Sequence, residues 1–372
     1  MKTKINILTN NLSPNSRAFN FPLILFKNKI SINYNLKLFF NDSILSKETT
    51  LNKRMLDCDI LGINAKSVHL LWTSNRKYLF DFLLKAKGQG IKILWFDTYD
   101  STVSTEFEVL SYVDVYLKNQ LLKDKTLYLQ KESRTRFFIN HLNKLYDINQ
   151  YSDTDWELPD EYSLEKIQLS WNSCFENYTK SRYRFFSKVN QKYLRPNHLW
   201  PQKNHIEFFP VNSDREIKCS YRGTTNYRWA AIAKHRQEIS RLLNFIGVES
   251  EKIKLDLFFH EMQNSVASVG PFGLGEITLR DYEIIISGST LIKPDISYIE
   301  TWPNLFKKKQ TYVPIKWDLS DLLETVEMLN ENSNLRKEIA TKAQDEYKKY
   351  LIEDHASQLF VDHFDKIINY VS

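Results

Sequence analysis

The chain has 372 residues, a length that at roughly 150 residues per domain predicts two domains. Hydrophobic residues make up 42% and aromatics 14%, enough apolar material for two large cores, which excludes a mainly disordered chain. With 51 Lys and Arg against 45 Asp and Glu, the net charge of +6 suits an anionic small ligand, a phosphorylated substrate or an acidic membrane surface, and does not demand nucleic acid.

In chain order, the opening residues 1–11 read as a strand rather than a signal peptide, because their apolar stretch is too short. The longest clean apolar run, 21–26, falls far below the roughly 18 residues that a membrane span needs. Strands are expected at 5–9, 32–40, 58–63 and 91–96, with a weaker one at 113–117. A polar loop covers 10–16. A helix is expected at 76–87, with Leu79, Phe80, Leu83 and Leu84 on one side and Gly88 and Gly90 stopping it. Strands separated by helices imply a parallel sheet covered on both faces. Residues 147–161 turn acidic and polar and read as a surface loop. The irregular stretch 195–214, with Pro196, Pro201 and Pro210, is the expected boundary between two lobes.

The second lobe repeats the alternation. Strands are expected at 217–221, 253–259, 265–269 and 290–293, and helices at 227–246, 279–287, 318–329 and 334–350. The tail 356–371 is amphipathic, with Leu359, Phe360, Phe364, Ile367, Ile368 and Val371 on one broad stripe. The three cysteines, Cys58, Cys174 and Cys219, lie far apart and form no CxxC pair, so neither a zinc site nor a disulfide framework is indicated, and a reducing cytosol is the default. The fold class expected is α/β: two Rossmann-like lobes, 1–200 and 201–355, facing a cleft, with a C-terminal helix at 356–372 crossing back.

Only nine glycines occur, and four of them fall within 270–288. There a strand runs into a loop holding Gly270, Gly273 and Gly275, and a helix starts near Thr278, whose spacing to Asp281 fits a capping box. A glycine-rich loop feeding a helix N-terminus offers free N–H groups and a positive dipole end, a ready pocket for phosphate. Arg280 in the first turn can add a forked donor to phosphate oxygens, and Glu283 one turn on can accept from sugar or ribose hydroxyls. Glu276 can also face the cleft. The pattern is neither a dinucleotide fingerprint nor a Walker loop.

The segment from Ser265 to about Ala343 resembles the C-terminal half of GT-B glycosyltransferases of the group-1 and exostosin-like kind. The matching pieces are Phe272-Gly273-Leu274, then Glu283, then Ser287-Gly288-Ser289-Thr290-Leu291-Ile292, and later Asp318, Asp321 and Leu322 opening a helix. Between the first piece and Glu283 the chain carries about four residues more than the family pattern, and Gly270-Pro271 stands where the first of the family's paired acids would be. The resemblance implies that Glu283 contacts the ribose of a nucleotide-sugar donor. It also places a phosphate-contacting loop at 221–226. Gly223 permits a tight turn there, Thr224 and Asn226 can donate, and Arg222 and Arg228 can offset diphosphate charge. Lys234, His235 and Arg236 read as a solvated helix face.

In the first lobe, ligands of open α/β sheets bind beyond the carboxyl ends of strands. Asp97 and Asp100, after the strand at 91–96, are candidates for the general base that takes a proton from an acceptor hydroxyl, and His69 is a third. Residues 180–195 carry Lys180, Arg182, Arg184, Lys188, Lys192 and Arg195 with interleaved aromatics and no acid. They read as a helix with aromatics inward, with an anionic membrane bearing a lipid-linked acceptor as the functional alternative. Asp153-Thr154-Asp155 has the spacing of a metal-binding dyad but lies in the acidic loop, so no metal is expected.

Together these readings predict a metal-independent, cytoplasmic glycosyltransferase. It would move sugar from a nucleotide-sugar donor to a glycan or lipid-linked acceptor, with peripheral contact to the inner face of the plasma membrane and no cofactor or nucleic acid. The resemblance suggests bacterial surface polysaccharide or lipopolysaccharide synthesis. The alternative is a non-catalytic nucleotide-sugar or phosphate-binding module.

Overall fold

A computed structural model describes residues 2–41, 51, 53–131, 136–150, 157–176, 206–211, 214–351 and 355–371. The Asp153-Thr154-Asp155 spacing, the basic segment 180–195 and the expected 200/201 boundary lie outside the described residues.

The first lobe is built on β1 (Thr3–Thr9), β2 (Tyr34–Phe40), β3 (Ile60–Asn64), β4 (Lys92–Asp97) and β5 (Val115–Lys118), followed by the short β6 (Gln120–Leu122) and β7 (Ile167–Leu169). All but β6 form one six-stranded parallel sheet in the order β2-β1-β3-β4-β5-β7. Chain progression reverses between β1 and β3, and a crevice opens at such a switch point, beyond the carboxyl ends of the strands. β3 and β5 are buried along their whole length, as sheet strands covered on both faces must be.

The second lobe uses β8 (Ile217–Ser220), β9 (Ser265–Val269), β10 (Thr290–Pro294), β11 (Ile299–Thr301) and β12 (Val313–Ile315). Four of these make a parallel sheet, β12-β10-β9-β8. The remaining strand, β11, pairs antiparallel with β6 of the first lobe, Gln120 opposite Thr301, so the lobes share backbone hydrogen bonds.

The C-terminal helix Ala356–Asn369 crosses back, as its apolar stripe predicted. Phe360 is fully buried, with ring centroids 5.4 Å from Phe26, 5.2 Å from Trp171 and 5.6 Å from Phe175, and Phe364 packs 5.6 Å from Tyr34. His363 Nε2 lies 3.1 Å from the Ser170 carbonyl.

Two elements differ from the sequence reading. Residues 253–259 were expected as a strand, but a helix spans Leu255–Gln263. A short apolar run cannot separate the two by periodicity, and here Phe258 and Met262, four apart, are the buried pair. The 10–16 loop is shortened by a helix, Pro14–Leu25, for which Ser13 is the N-cap, accepting from Ser16 N–H at 3.0 Å, with Pro14 at the first position.

Candidate functional site

A cleft of about 550 Å³ opens between the lobes. Its second-lobe wall is made by the loop after β9 and the helix Leu279–Ile286. Asp281 fixes the start of that helix. Its carboxylate accepts from the Thr278 N–H at 2.7 Å and pairs with Lys293 of β10 at 2.9 Å, both side chains fully buried. Thr278, Leu279 and Arg280 line the cleft at this turn, where the capping box takes the Thr278 and Asp281 N–H groups and the Leu279 and Arg280 N–H groups precede the first intrahelical bond.

Arg280 lies over the Phe258 ring, 4.0 Å from its centroid, and its Nε is 3.3 Å from Glu283 Oε2. Burial lowers the guanidinium pKa while Glu283 pulls it back up. Glu283 is 4% exposed and lines the cleft beside it. Gly223, Thr224, Gly273 and Gly275 line the same wall. At Gly223 a Cβ would overlap the Tyr221 hydroxyl, so only glycine lets the loop close over that ring.

Arg236, from the helix Ala230–Phe245, also lines the cleft, contrary to the solvated face expected for it. It is 8% exposed, donates through Nε to the Phe272 carbonyl at 2.9 Å and through Nη1 to the Thr224 carbonyl at 3.2 Å, and stacks over Tyr227. One guanidinium thus holds both candidate donor loops. His235 is buried as well, 3.1 Å from the Trp317 carbonyl, and burial pushes its pKa down to about 4. Lys234 alone of the three keeps the solvated role, paired with Glu238 at 2.8 Å.

Arg222 and Asn226 stand apart from the cleft lining. Arg222 forks onto Glu261, with Nε 2.8 Å and Nη2 2.5 Å from Oε2, and reaches Glu249 and the Glu251 carbonyl. That carboxylate raises its pKa, and the side chain is committed to an ion pair rather than to a ligand. Asn226 is exposed.

The first-lobe wall carries Asn15, Thr98, Asp100, Asn119, Gln120 and Ser173. Asp100 is the one first-lobe candidate base that reaches the cleft, and Asn15 Nδ2 donates to its Oδ1 at 2.7 Å. Asp97 is instead fully buried beneath the strand end. It pairs with Lys118 Nζ at 2.6 Å and accepts from the Tyr116 hydroxyl at 2.6 Å and the Tyr99 N–H at 2.9 Å. A carboxylate so enclosed is structural. His69 is exposed and lies outside the cleft lining, with Nδ1 3.0 Å from the Tyr99 hydroxyl, which donates to Glu106. Partial desolvation of the ring by its neighbours and the Lys66 charge lower its pKa.

Glu276 is turned away from the cleft and fully buried against the first lobe. It accepts from the Thr102 N–H at 3.1 Å, the Thr102 hydroxyl at 2.5 Å and the Ser101 hydroxyl at 3.3 Å. Burial raises its pKa, against which these bonds work.

Sequence reasoning missed Arg236 and Asn15. The signal for Arg236 was its spacing: Ile232, Arg236, Ile239 and Leu243 form one buried stripe, and a cation on an apolar stripe is aimed at something. For Asn15 the signal was Ser13-Pro14, a helix start placed directly after β1. Among the described residues no group of three or more His, Cys, Asp or Glu is placed to hold a metal ion, and no helix is long and apolar enough to cross a membrane.

Two parallel α/β lobes across a cleft, with the C-terminal helix returning to the first lobe, define the GT-B architecture. No family model matches the chain, and no curated protein is significantly similar in sequence. Solved structures similar to it include an alpha-glucosyltransferase in complex with UDP and a 13-mer DNA, at 12% identity and TM-score 0.42 over 99% of this chain and all of that one. A glycosyltransferase from Rickettsia africae ESF-5 is similar at 10% identity and TM-score 0.47 over 99% of both chains. Sucrose-phosphate synthase from Thermosynechococcus elongatus is similar at 10% identity and TM-score 0.42 over the whole of both. At this distance the strand orders and the cleft, rather than the likenesses, carry the assignment of architecture.

Proposed function

We propose that the protein is a glycosyltransferase that takes its sugar from a nucleotide-activated donor. The observation that carries this reading is the meeting of Arg236, Arg280 and a helix N-terminus on one wall of a cleft whose opposite wall presents Asp100. Two cations and a dipole end face a single lining carboxylate, Glu283, on their own wall, which suits a leaving group that gains negative charge as the glycosidic bond breaks. Glu283 is placed to accept from the ribose. Asp100, oriented by Asn15, is the candidate base for an acceptor hydroxyl. In this reading the arginines and the helix end supply the charge neutralisation, so transfer proceeds without a metal. A glycan or lipid-linked acceptor, in bacterial surface polysaccharide synthesis at the inner face of the membrane, completes it.

The test is release of nucleoside diphosphate from a panel of UDP-, GDP- and ADP-sugars, with and without EDTA. Release from one member, retained in EDTA and lost in Asp100→Asn, is expected. Binding without release, unchanged by Asp100→Asn, would favour a binding module instead.

A further inference from the structure

We propose that Glu276 is a positioning residue that ties the donor loop to the segment carrying Asp100, holding the phosphate-binding wall and the candidate base in one fixed relation. The inference deepens the glycosyl-transfer reading and rests on it for its catalytic consequence, though not for the tie itself.

Every hydrogen bond of the Glu276 carboxylate in the first lobe goes to residues directly after Asp100: both bonding groups of Thr102 and the hydroxyl of Ser101. The neighbouring Gly275 approaches so closely that a Cβ there would overlap the Asp100 carbonyl oxygen. That same carbonyl accepts from the Gln120 side chain, and Gln120 lies on β6, the strand that pairs with β11 of the second lobe. One residue earlier, the Leu274 carbonyl accepts at 2.5 Å from Nε of Arg136, whose guanidinium lies over the Trp229 ring. Gly275 and Glu276 are therefore docked on the first lobe at two successive positions. The Asp100 backbone is gripped by this loop and by Gln120, and its carboxylate by Asn15 at 2.7 Å.

A fully buried carboxylate is an expensive way to make a loop contact, since an apolar pair would avoid the desolvation. Its hydrogen bonds supply what apolar packing lacks, a fixed direction. Because the phosphate-facing residues Gly273, Thr278 and Arg280 flank Glu276 in the chain, a shift of Thr102 moves Asp100 and the donor loop together. The reacting groups are then pre-aligned, and misplacement of about 1 Å is enough to slow a transfer roughly a hundredfold.

The experiment compares the full chain with Glu276→Gln, Thr102→Val and the double variant. Calorimetry measures UDP and GDP affinity, and steady-state assays separate kcat from KM for nucleoside-diphosphate release. Pulsed EPR between spin labels at Lys85 and Asn334, with the half-buried Cys58 replaced by serine, reads the distance between lobes. Glu276→Gln is expected to leave diphosphate affinity within about twofold, to lower kcat roughly tenfold or more with little change in KM, and to broaden the distance distribution. The double variant should be no slower than the slower single one, because both remove the same tie. Wild-type kcat in Glu276→Gln, multiplicative losses in the double variant, or an unchanged distance distribution would each overturn the proposal. If the wild type neither binds nor releases any nucleoside diphosphate, the glycosyl-transfer reading fails, and the distance measurement still decides the tie.

Discussion

Replacing Arg280 by alanine removes a guanidinium that lies 4.0 Å over Phe258 and lines the cleft beside the N-terminus of its own helix. A hydrogen bond to a charged partner is worth about 1.5–3 kcal/mol, so losing one weakens nucleoside-diphosphate binding roughly 10- to 150-fold. The substitution has a second effect. Glu283, 4% exposed and 3.3 Å from Arg280 Nε, is left on the cleft wall without the Arg280 cation beside it. The loss in Arg280→Ala therefore exceeds that in the double variant Arg280→Ala with Glu283→Gln, which restores part of the affinity. Arg280→Lys keeps the charge but not the fork and falls between wild type and alanine. Isothermal titration with UDP and GDP at fixed ionic strength measures all four proteins. Affinity within about twofold of wild type in Arg280→Ala would refute the placement of the phosphate pocket.

Arg236→Met should weaken diphosphate binding and loosen both loops that it holds, Thr224 and Phe272, seen as faster amide exchange at 223–225 and 270–275 together; loss of affinity with unchanged exchange would separate the two roles. Asp97→Asn leaves Lys118 buried without its carboxylate and should cost about 3–5 kcal/mol of stability in denaturant unfolding; a variant of wild-type stability that is inactive would return Asp97 to the catalytic candidates. Glu106 is buried, and burial with the nearby Asp97 charge pushes its pKa up to about 8 from an ordinary 4.5. Because the native pKa is the higher one, its favourable contribution is present below about pH 4.5 and is lost as pH rises through 8, about 5 kcal/mol in all. Glu106→Gln should therefore gain melting temperature relative to wild type between pH 5 and pH 8.5, and a difference independent of pH would contradict the burial argument.

The alternation of β-rich runs and helices made the two lobes legible, because buried parallel strands such as 60–64 and 92–97 leave apolar runs that survive without any partner information. The crossing of the last helix was legible for the same reason: its broad stripe needed a surface to cover. At the site, the turn before Arg280 was legible from glycine placement and the Thr278–Asp281 spacing, both local signals. What failed was long-range. Glu276 and Arg222 stand in loops that a ligand could reach, and only the tertiary structure reveals that Thr102 and Glu261 occupy them first. Asp97 and Asp100, three residues apart at one strand end, look equivalent in sequence, yet Lys118 and Tyr116 from the next strand enclose the first and leave the second on the cleft. Arg236 shows the converse, a residue read as solvated that the helix phase turns inward.

The most direct test of the central claim is a crystal structure of the protein saturated with the nucleoside diphosphate that gives the largest thermal shift. Its phosphates are expected within hydrogen-bond distance of the N–H groups at the start of helix Leu279–Ile286, between the side chains of Arg236 and Arg280, with Asp100 facing them across the cleft. A diphosphate bound elsewhere on the molecule, or an empty cleft at saturating ligand, would contradict it.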